Sequence, residues 1–365
     1  MSMFYMPVKV YDEAEAVQKN GSLLKKFGNK ALIVTGKSSA KKNGSYDDVC
    51  KACDENDIAH VLFDDIEENP STDTIIKARD FGLAEQVDFV IGIGGGSPMD
   101  AAKAIALMIR HADKEKEYLH HEGMPSDTIP IVLVPTTCGT GSEVTAVSVL
   151  TVPEKKTKIS MKHKVFADLA LIDGKYLASA PASVLYNTAI DALTHMYESY
   201  INVKASDYSR MCVHYGLLLW SKSLDILRGK REAAAEDYLN MMRASMMAGM
   251  AIAQDGTTIP HGLSYPLTYN LKVAHGKAVG YFTAGYLSEA DEADREYLLS
   301  TAGFTSLEDF QNVLLSACGS VDVPDDLLEA AVEELSANAA KLSAVPFACD
   351  KEVLRRIAFY TKQHA

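Results

Sequence analysis

Residues 89–110 have the sequence FVIGIGGGSPMDAAKAIALMIR, and this stretch decides the fold class. An apolar strand candidate at 89–93 leads into a glycine-rich turn at 94–100, and a helical pattern follows at 101–110. Strand, glycine turn and helix in this order form the unit in which α/β domains bind dinucleotides. The glycines allow the backbone to come close to a ligand, and the free N–H groups of a helix N-terminus attract a phosphate.

The start signals of this helix agree with each other. Ser97 is the predicted N-cap, Pro98 suits the first helical position, and Asp100 completes an arrangement that resembles a capping box. The turn lacks the G-x-G-x-x-G spacing of the standard dinucleotide motif. A tight strand–helix turn without a ligand is therefore the structural alternative.

Short apolar runs of the same character occur on both sides of this stretch, at residues 31–35, 59–63, 131–135 and 169–172. Each is bounded by Gly, Pro, Asn or Asp, and most are one helix length apart, which favours a parallel sheet covered on both faces. After residue 178 strand signals almost vanish. Helical patterns follow at residues 182–202, 206–228, 233–254, 276–290, 306–318 and 325–341. We predict an α/β Rossmann-like domain at 1–178 and an all-α domain at 179–365.

Composition excludes several classes of function. The 365 residues suit about two domains. With 36 Lys and Arg against 49 Asp and Glu, the net charge is −13, which disfavours binding to nucleic acid or to an anionic membrane. No apolar run reaches the roughly 18 residues of a membrane helix, and the N-terminus lacks a signal-peptide pattern. Six cysteines are too few for a disulfide scaffold. We expect a cytoplasmic protein.

Two more loops carry the chemistry of a nucleotide site. The strand candidate at 131–135 leads into a loop rich in hydroxyls and glycine, in which the candidate contacts are Thr136, Thr137, Thr140 and Ser142. These groups can hydrogen-bond to phosphate, ribose and carboxamide, although a cluster of helix caps would look the same.

The loop after the first strand candidate bears on the choice of nucleotide. It contains Gly36, Lys37, Ser38 and Ser39, and no acid occurs in it before Asp47. A site for NAD usually places an acid against the ribose 2′-hydroxyl. Hydroxyls and a lysine instead suit the 2′-phosphate of NADP, and the alternative is a solvated basic loop.

Four residues in the second half could hold a metal. Asp191 and His195 are four residues apart in a helical pattern and share a face. His261 and His275 flank the segment 262–274, which we predict to be a loop. One carboxylate and three imidazoles suit Fe(II) or Zn(II), provided that the fold brings both pairs together. Taken singly, each histidine is better explained as a structural core residue.

These motifs, in this order, resemble the iron-containing (group III) alcohol dehydrogenases. The motifs are GGGSPMD at 94–100, PTTCGTGSE at 135–143, Asp191-x3-His195 and His261-x13-His275. The resemblance implies a Rossmann-like domain followed by a helical domain, as in the dehydroquinate-synthase-like architecture, with an active site in the cleft between them. It also implies a homodimer, and a divalent metal on these four ligands, usually Fe(II) and sometimes Zn(II).

The resemblance assigns cofactor contacts as well. It implies nicotinamide cofactor phosphates at Gly95, Gly96, Ser97 and Asp100, with Thr136, Thr137, Thr140 and Ser142 nearby, and it places Lys158 near the nicotinamide ribose. Many family members have Asp at the position of Gly36, so this chain is more similar to the NADPH-dependent butanol-dehydrogenase branch. Many also have a second histidine where this chain has Tyr265, so Tyr265 is a candidate for proton transfer.

The predicted function is therefore metal-dependent hydride transfer between NADP(H) and a small alcohol or aldehyde. One alternative is an NAD-dependent dehydrogenase of polyols such as glycerol, 1,3-propanediol or lactaldehyde. Another is a dehydroquinate-synthase-like lyase, which needs a basic cluster for its substrate phosphate; residues 255–280 supply Lys272 and Lys277 alone. A binding protein without catalysis would lack a ligand or a glycine of these motifs, and none is missing.

Overall fold

The computed structural model describes residues 3–155 and 157–364, which form two compact units. The α/β unit comprises Met6–Thr137 and Gly141–Ala180, and the helical unit comprises Met1–Tyr5, Cys138–Thr140 and Pro181–Ala365. The short segments 3–5 and 138–140 group with the helical unit, whereas the predicted boundary at residue 178 places them in the first domain. The grouping depends on which backbone segments pack together, and a sequence pattern does not report such packing.

The α/β unit is built on a six-stranded parallel sheet with the strand order β1-β8-β5-β4-β2-β3. Its strands are β1 (Lys9–Asp12), β2 (Lys30–Thr35), β3 (Ala59–Phe63), β4 (Phe89–Gly94), β5 (Ile131–Pro135) and β8 (Leu169–Ile172). An antiparallel hairpin consists of β6 (Val149–Val152) and β7 (Thr157–Ser160). The α-helices of the unit are α1 (Ala16–Asn20), α2 (Ser39–Lys42), α3 (Ser45–Asp54), α4 (Thr72–Ala84) and α5 (Gly96–Arg110).

Alternate residues of the central strands enter two separate cores. In β2, Leu32 and Val34 pack with α4 and α5 on one face, while Ala31 and Ile33 pack with α1 and α3 on the other. Every residue of β4 and β5 is buried, as expected for a parallel sheet covered on both sides. The predicted α/β class is confirmed.

The sequence analysis did not identify β1, β6 and β7. These strands are partly exposed, so they lack the continuous apolar run that marks β4 and β5. Such short strands take their conformation from the neighbours to which they are hydrogen-bonded rather than from composition.

The second unit is helical, as predicted. Its helices are α6 (Ala182–Tyr200), α7 (Asp207–Ser221), α8 (Leu224–Leu227), α9 (Ala235–Asp255), α10 (Ile259–Leu271), α11 (His275–Glu289), α12 (Glu292–Ala302), α13 (Leu307–Cys318), α14 (Asp325–Ser336), α15 (Ala339–Leu342) and α16 (Lys351–Gln363). The buried helix α6 packs against α7, α9 and α11. Among the described residues, no helix has the length and apolar character needed to cross a membrane.

The prediction of a loop at 262–274 is wrong over most of that range, because α10 occupies it up to Leu271. Gly262 and Pro266 hide the helix from a sequence pattern, since both residues are poor helix formers. Packing overrides propensity here. A Cβ on Gly262 would lie only 2.6 Å from Leu335 Cδ1, so the absence of a side chain allows α14 to approach closely.

Candidate metal centre and nucleotide loops

The three predicted histidine ligands converge on a carboxylate oxygen of the fourth predicted ligand, Asp191, in the helical unit. Asp191 Oδ1 lies 3.9 Å from His195 Nε2 on the next turn of α6. It lies 3.4 Å from His261 Nε2 and 3.8 Å from His275 Nε2. The ligand atoms of Asp191, His261 and His275 all lie within 4.8 Å of one another.

Two helix starts bring the distant histidines to this point. His261 is in the first turn of α10, and His275 is the first residue of α11. Gly276 permits the approach of α11 to α6, because a Cβ on it would lie 1.8 Å from the carbonyl oxygen of Asn187. The fold thus brings the two predicted pairs of residues together, which is the condition for considering them as one candidate metal site.

The residues present fit a divalent metal ion. Asp191 Oδ1 and His261 Nε2 are both buried, and neither has a hydrogen-bond partner among the described residues. A buried polar atom without a partner costs free energy, so two of them facing each other need an explanation. Nitrogen and oxygen donors in this number are typical of Zn(II) or Fe(II) sites.

The electrostatics of the cluster favour a bound cation. Burial raises the pKa of Asp191, but His195 and His275 outweigh this effect and leave the pKa below its ordinary value. Burial lowers the pKa of His195. Burial also acts to lower the pKa of His261, but the carboxylates of Glu198 and Asp191 outweigh it and raise that pKa to about 9. Metal ligation requires neutral imidazoles, so a bound cation would displace a proton from His261.

Each of two ligand histidines has a different partner on its second ring nitrogen. His195 Nδ1 lies 3.3 Å from the carbonyl oxygen of Gly139. His261 Nδ1 is hydrogen-bonded to the carboxylate of Glu198, which is fully buried on α6. Such partners fix the orientation of the ring that faces the metal.

Tyr265 lies beside the cluster on α10. Its ring stacks on His275, with 6.5 Å between the ring centroids and an angle of 7° between the planes. Desolvation of the hydroxyl, with Glu198 and Asp191 adding to it, raises the pKa of Tyr265 to about 12. The phenol is therefore protonated at neutral pH.

In the α/β unit, the prediction of the start of α5 is wrong. The helix begins at Gly96 with Gly95 as its N-cap, so Ser97 lies inside the first turn. Gly94 makes the earlier start possible, since its φ is +149° and a Cβ on it would lie 2.6 Å from Pro98 Cγ. The Ser97 hydroxyl instead accepts a hydrogen bond from the backbone N–H of Asn69 at 3.0 Å.

Asp100 is likewise not part of a capping box. Its Oδ1 accepts from the Ser142 hydroxyl at 2.5 Å, and its Oδ2 accepts from the backbone N–H of Val149 at 2.8 Å. Lys103, fully buried on the same helix, donates to Ser142 Oγ and to the carbonyl of Val147, both at 2.8 Å. These bonds fasten the loop after β5 to α5, a role that the sequence analysis missed for Lys103.

Lys158 connects to the glycine turn through Asn69. Its ammonium group donates to Asn69 Oδ1 at 2.7 Å, and the backbone of Asn69 reaches Ser97. Asn69 has φ +57°, a left-handed conformation that asparagine tolerates. The position of this residue beside Ser97 depends on tertiary packing, which a local sequence pattern does not report.

The predicted cofactor segments come from the carboxyl ends of adjacent parallel strands. Gly36 follows β2, Gly95 follows β4, and Thr136 and Thr137 follow β5, so these four residues lie at one edge of the sheet. Ligands of open α/β sheets bind at this edge. Thr140 is grouped with the helical unit instead.

The loop at 36–44 has acidic neighbours that its own sequence does not show. Lys37 pairs with Asp65 at 3.2 Å, and Lys41 pairs with Asp64 at 2.6 Å. Both acids follow β3, which is paired with β2. A Cβ on Gly36 would lie 3.4 Å from the carbonyl oxygen of Ile66, so this position has room for a small side chain. Ser38 and Ser39 are exposed.

Comparison with known proteins gives consistent matches. Residues 7–174 match the family model described as iron-containing alcohol dehydrogenase, and residues 185–304 match that of the C-terminal part of the Fe-containing alcohol dehydrogenase family. Long-chain-alcohol dehydrogenase 1 of Geobacillus thermodenitrificans is 32% identical over 275 residues, which are 73% of this chain and 69% of that protein.

Two further similarities extend this finding. NADH-dependent butanol dehydrogenase A of Clostridium acetobutylicum is 26% identical over 297 residues, 78% of this chain and 74% of that protein. A crystal structure of an iron-containing alcohol dehydrogenase from Thermotoga maritima is 36% identical, with a TM-score of 0.90 and 99% of both chains covered.

Proposed function

The chain belongs to the iron-containing alcohol dehydrogenase family and is an oxidoreductase that acts on alcohols, and from this premise we propose that it transfers hydride between NADP(H) and a small alcohol or aldehyde. The observation that carries the proposal is the convergence of three imidazole nitrogens within 3.9 Å of Asp191 Oδ1. The ligands we propose are Asp191, His195, His261 and His275, with Fe(II) as the metal and Zn(II) as the alternative.

The bound groups would divide the chemistry between them: the metal would polarise the carbonyl oxygen of the aldehyde, and the nicotinamide would supply the hydride. The protein has three tasks. The buried cluster holds its donors in fixed orientations. The glycine turn at 94–96 offers backbone N–H groups to phosphate. Tyr265, protonated at neutral pH, passes a proton towards the substrate oxygen during reduction.

The preference for NADP is the finer part of the proposal. Lys37 is 80% exposed and Ser38 and Ser39 are exposed, so all three are available to a 2′-phosphate. The phosphate would have to take the place of Asp65 beside Lys37. If the carboxylates of Asp64 and Asp65 instead bind the ribose hydroxyls, the enzyme would prefer NADH.

We also propose a homodimer and a cytoplasmic location. One face of α7 exposes Tyr208, Met211, Tyr215 and Leu218, which repeat at a spacing of three and four residues, as at a helix–helix contact. Light scattering would measure the mass. All six cysteines are free thiols, which suits a reducing compartment.

The test is one comparison of initial rates. Protein loaded anaerobically with Fe(II) reduces butanal with NADPH and, separately, with NADH. A large preference for NADPH supports the whole proposal. A preference for NADH, or equal rates, refutes the assignment of the 2′-phosphate site. Absence of turnover with both cofactors in protein that carries stoichiometric metal would refute the small-aldehyde proposal and favour polyols.

A further inference from the structure

Glu198 receives an unusual concentration of hydrogen-bond donors. One carboxylate oxygen, Oε1, accepts from the backbone N–H groups of Thr258 and His261, both at 3.1 Å. The hydroxyl of Thr258 lies 3.4 Å from the same oxygen. The other oxygen, Oε2, bonds to His261 Nδ1. Glu198 thus acts as an acceptor at both oxygens.

Through these bonds Glu198 holds both the start of α10 and the imidazole ring of His261 in place. Thr258 is the N-cap of α10 and His261 is the third residue of that helix, so the carboxylate caps a helix N-terminus from outside. Its second oxygen holds the imidazole of His261 by Nδ1. Ring and helix start are therefore fixed by a single side chain that has no exposed surface.

The bond to Nδ1 determines which nitrogen of His261 carries the proton. A carboxylate that accepts no other bond at Oε2 requires an N–H on Nδ1, so Nε2 is left with its lone pair. Nε2 is then the nitrogen that faces Asp191 Oδ1, 3.4 Å away. A cation bound between these two atoms would take the place of a proton there.

We infer that Glu198 is a positioning residue that fixes the tautomer of His261, and that its charge-free isostere glutamine would therefore weaken metal binding more than alanine would. This inference rests on the proposed function, because it takes His261 as a metal ligand. Glu198 itself does not touch the metal or the substrate in this scheme.

Glutamine and alanine in place of Glu198 should differ in which nitrogen of His261 they leave protonated. In Glu198→Gln, the amide oxygen must take the place of Oε1, since two backbone N–H groups point there. The amide NH₂ then faces His261 Nδ1 and donates to it, so the ring proton moves to Nε2 and blocks the metal. In Glu198→Ala, water can enter the polar space and accept from Nδ1, which preserves the binding tautomer.

The experiment measures the affinity of the full-length chain for Zn(II) by competition with a chromophoric chelator. We expect Glu198→Gln to weaken Zn(II) binding by about 100-fold and Glu198→Ala by about tenfold, the upper and lower ends of the range found for outer-shell partners of metal ligands. Thermal stability should follow the opposite order, because alanine leaves the N–H groups of α10 without their acceptor. Loss of packing alone cannot make the isosteric variant the worse binder.

Two further variants separate the inference from the proposed function. Ser199→Ala removes a buried hydroxyl on the same helix, which donates to Asp255 Oδ2 at 2.8 Å, and it should bind Zn(II) like the unmodified chain. His261→Ala should lose Zn(II) if the ligand set is correct. Wild-type affinity in His261→Ala would refute the ligand set, and this inference with it.

Other results overturn the inference alone. If His261→Ala loses Zn(II) but Glu198→Gln binds as well as Glu198→Ala or better, the tautomer argument is wrong and the ligand set stands. Should Glu198→Gln fail to fold, NMR of the metal-free unmodified chain with ¹⁵N-labelled histidine decides. A proton on Nδ1 of His261 supports the inference, and a proton on Nε2 overturns it.

Discussion

Gly36 is the position at which the proposed preference for NADPH can be tested with a single side chain. A Cβ at this position would lie 3.4 Å from the carbonyl oxygen of Ile66, so the position tolerates a small substitution. We expect Gly36→Asp to lower kcat/KM for NADPH by about 100-fold, because like-charge contacts cost several kcal/mol, and to leave kcat/KM for NADH unchanged or higher. Initial rates at varied cofactor concentration measure both values.

Gly36→Asn is the matched control, since it has the same size without the charge. It should keep most of the preference for NADPH. Equal losses with NADPH in the two variants would mean that the position senses volume, and the proposed 2′-phosphate site would fall.

Tyr265 can be tested by removing one oxygen atom. Tyr265→Phe keeps the ring that stacks on His275 but removes the hydroxyl. We expect kcat to fall at least about tenfold, as for the loss of a proton-transfer group, with metal content unchanged. Tyr269→Phe serves as the control and should keep full activity, because the Tyr269 ring on the same helix contacts the ammonium group of Lys272 instead of His275. A kcat equal to that of the unmodified enzyme would clear Tyr265 of a role in proton transfer.

At the residue scale, sequence reasoning selected the four residues that cluster around Asp191 Oδ1 but missed Glu198. The pair Asp191 and His195 is visible in the spacing of one helix, and Glu198 continues the same face three residues later. That spacing in an apolar helix was a usable signal. Its partner His261 is 63 residues away, however, and the bond exists only because α10 begins against α6.

At the element scale, the close packing of α11 on α6 holds His275 in place. Gly276→Ala would put a methyl group 1.8 Å from the carbonyl oxygen of Asn187, so α11 must shift away from α6. We expect the free energy of unfolding to fall by about 1–3 kcal/mol, as for overpacked sites, and Zn(II) affinity to fall with it. Thermal melts and chelator competition measure the two effects.

The control for this element is Lys277→Ala, the next residue of the same helix turn. It should alter neither quantity by much. If Gly276→Ala binds Zn(II) with wild-type affinity despite a lower melting temperature, then His275 is not held by this contact, and its place in the ligand set is in doubt.

Elements that are buried along their whole length could be predicted from the sequence. Element boundaries that depend on contacts with residues distant in the chain could not. The fully buried strands β4 and β5 gave clear apolar runs, and β5 was placed to the residue. The start of α5 was misplaced because Ser97 is a good N-cap by composition. Its hydroxyl accepts from Asn69 instead, a residue 28 positions earlier in the chain. No local pattern contains that information.

At the scale of the whole molecule, the proposed metal site and the glycine turn of the proposed nucleotide site lie in different units. The proposed metal ligands all belong to the helical unit, and the glycine turn belongs to the α/β unit. The sequence predicted this division of chemistry because each motif lies in its own stretch of chain. It could not assign residues 138–140, whose packing partners are far away in sequence, such as the contact of Gly139 with His195.

This division predicts where metal removal will loosen the protein. A ligand that binds only the folded state stabilises it by mass action, by about 2.7 kcal/mol at a free concentration 100 times the Kd. Stripping the metal with a chelator should therefore raise amide hydrogen exchange in α6, α10 and α11, which carry the four ligands, while β2, β4 and β5 keep their protection. Mass spectrometry of peptides from the full chain resolves these segments.

Returning Zn(II) should restore protection in the unmodified chain and fail to do so in His261→Ala. If the strands lose as much protection as the three helices, the stabilising metal is not bound by this cluster alone, and the assignment of its ligands must be revised.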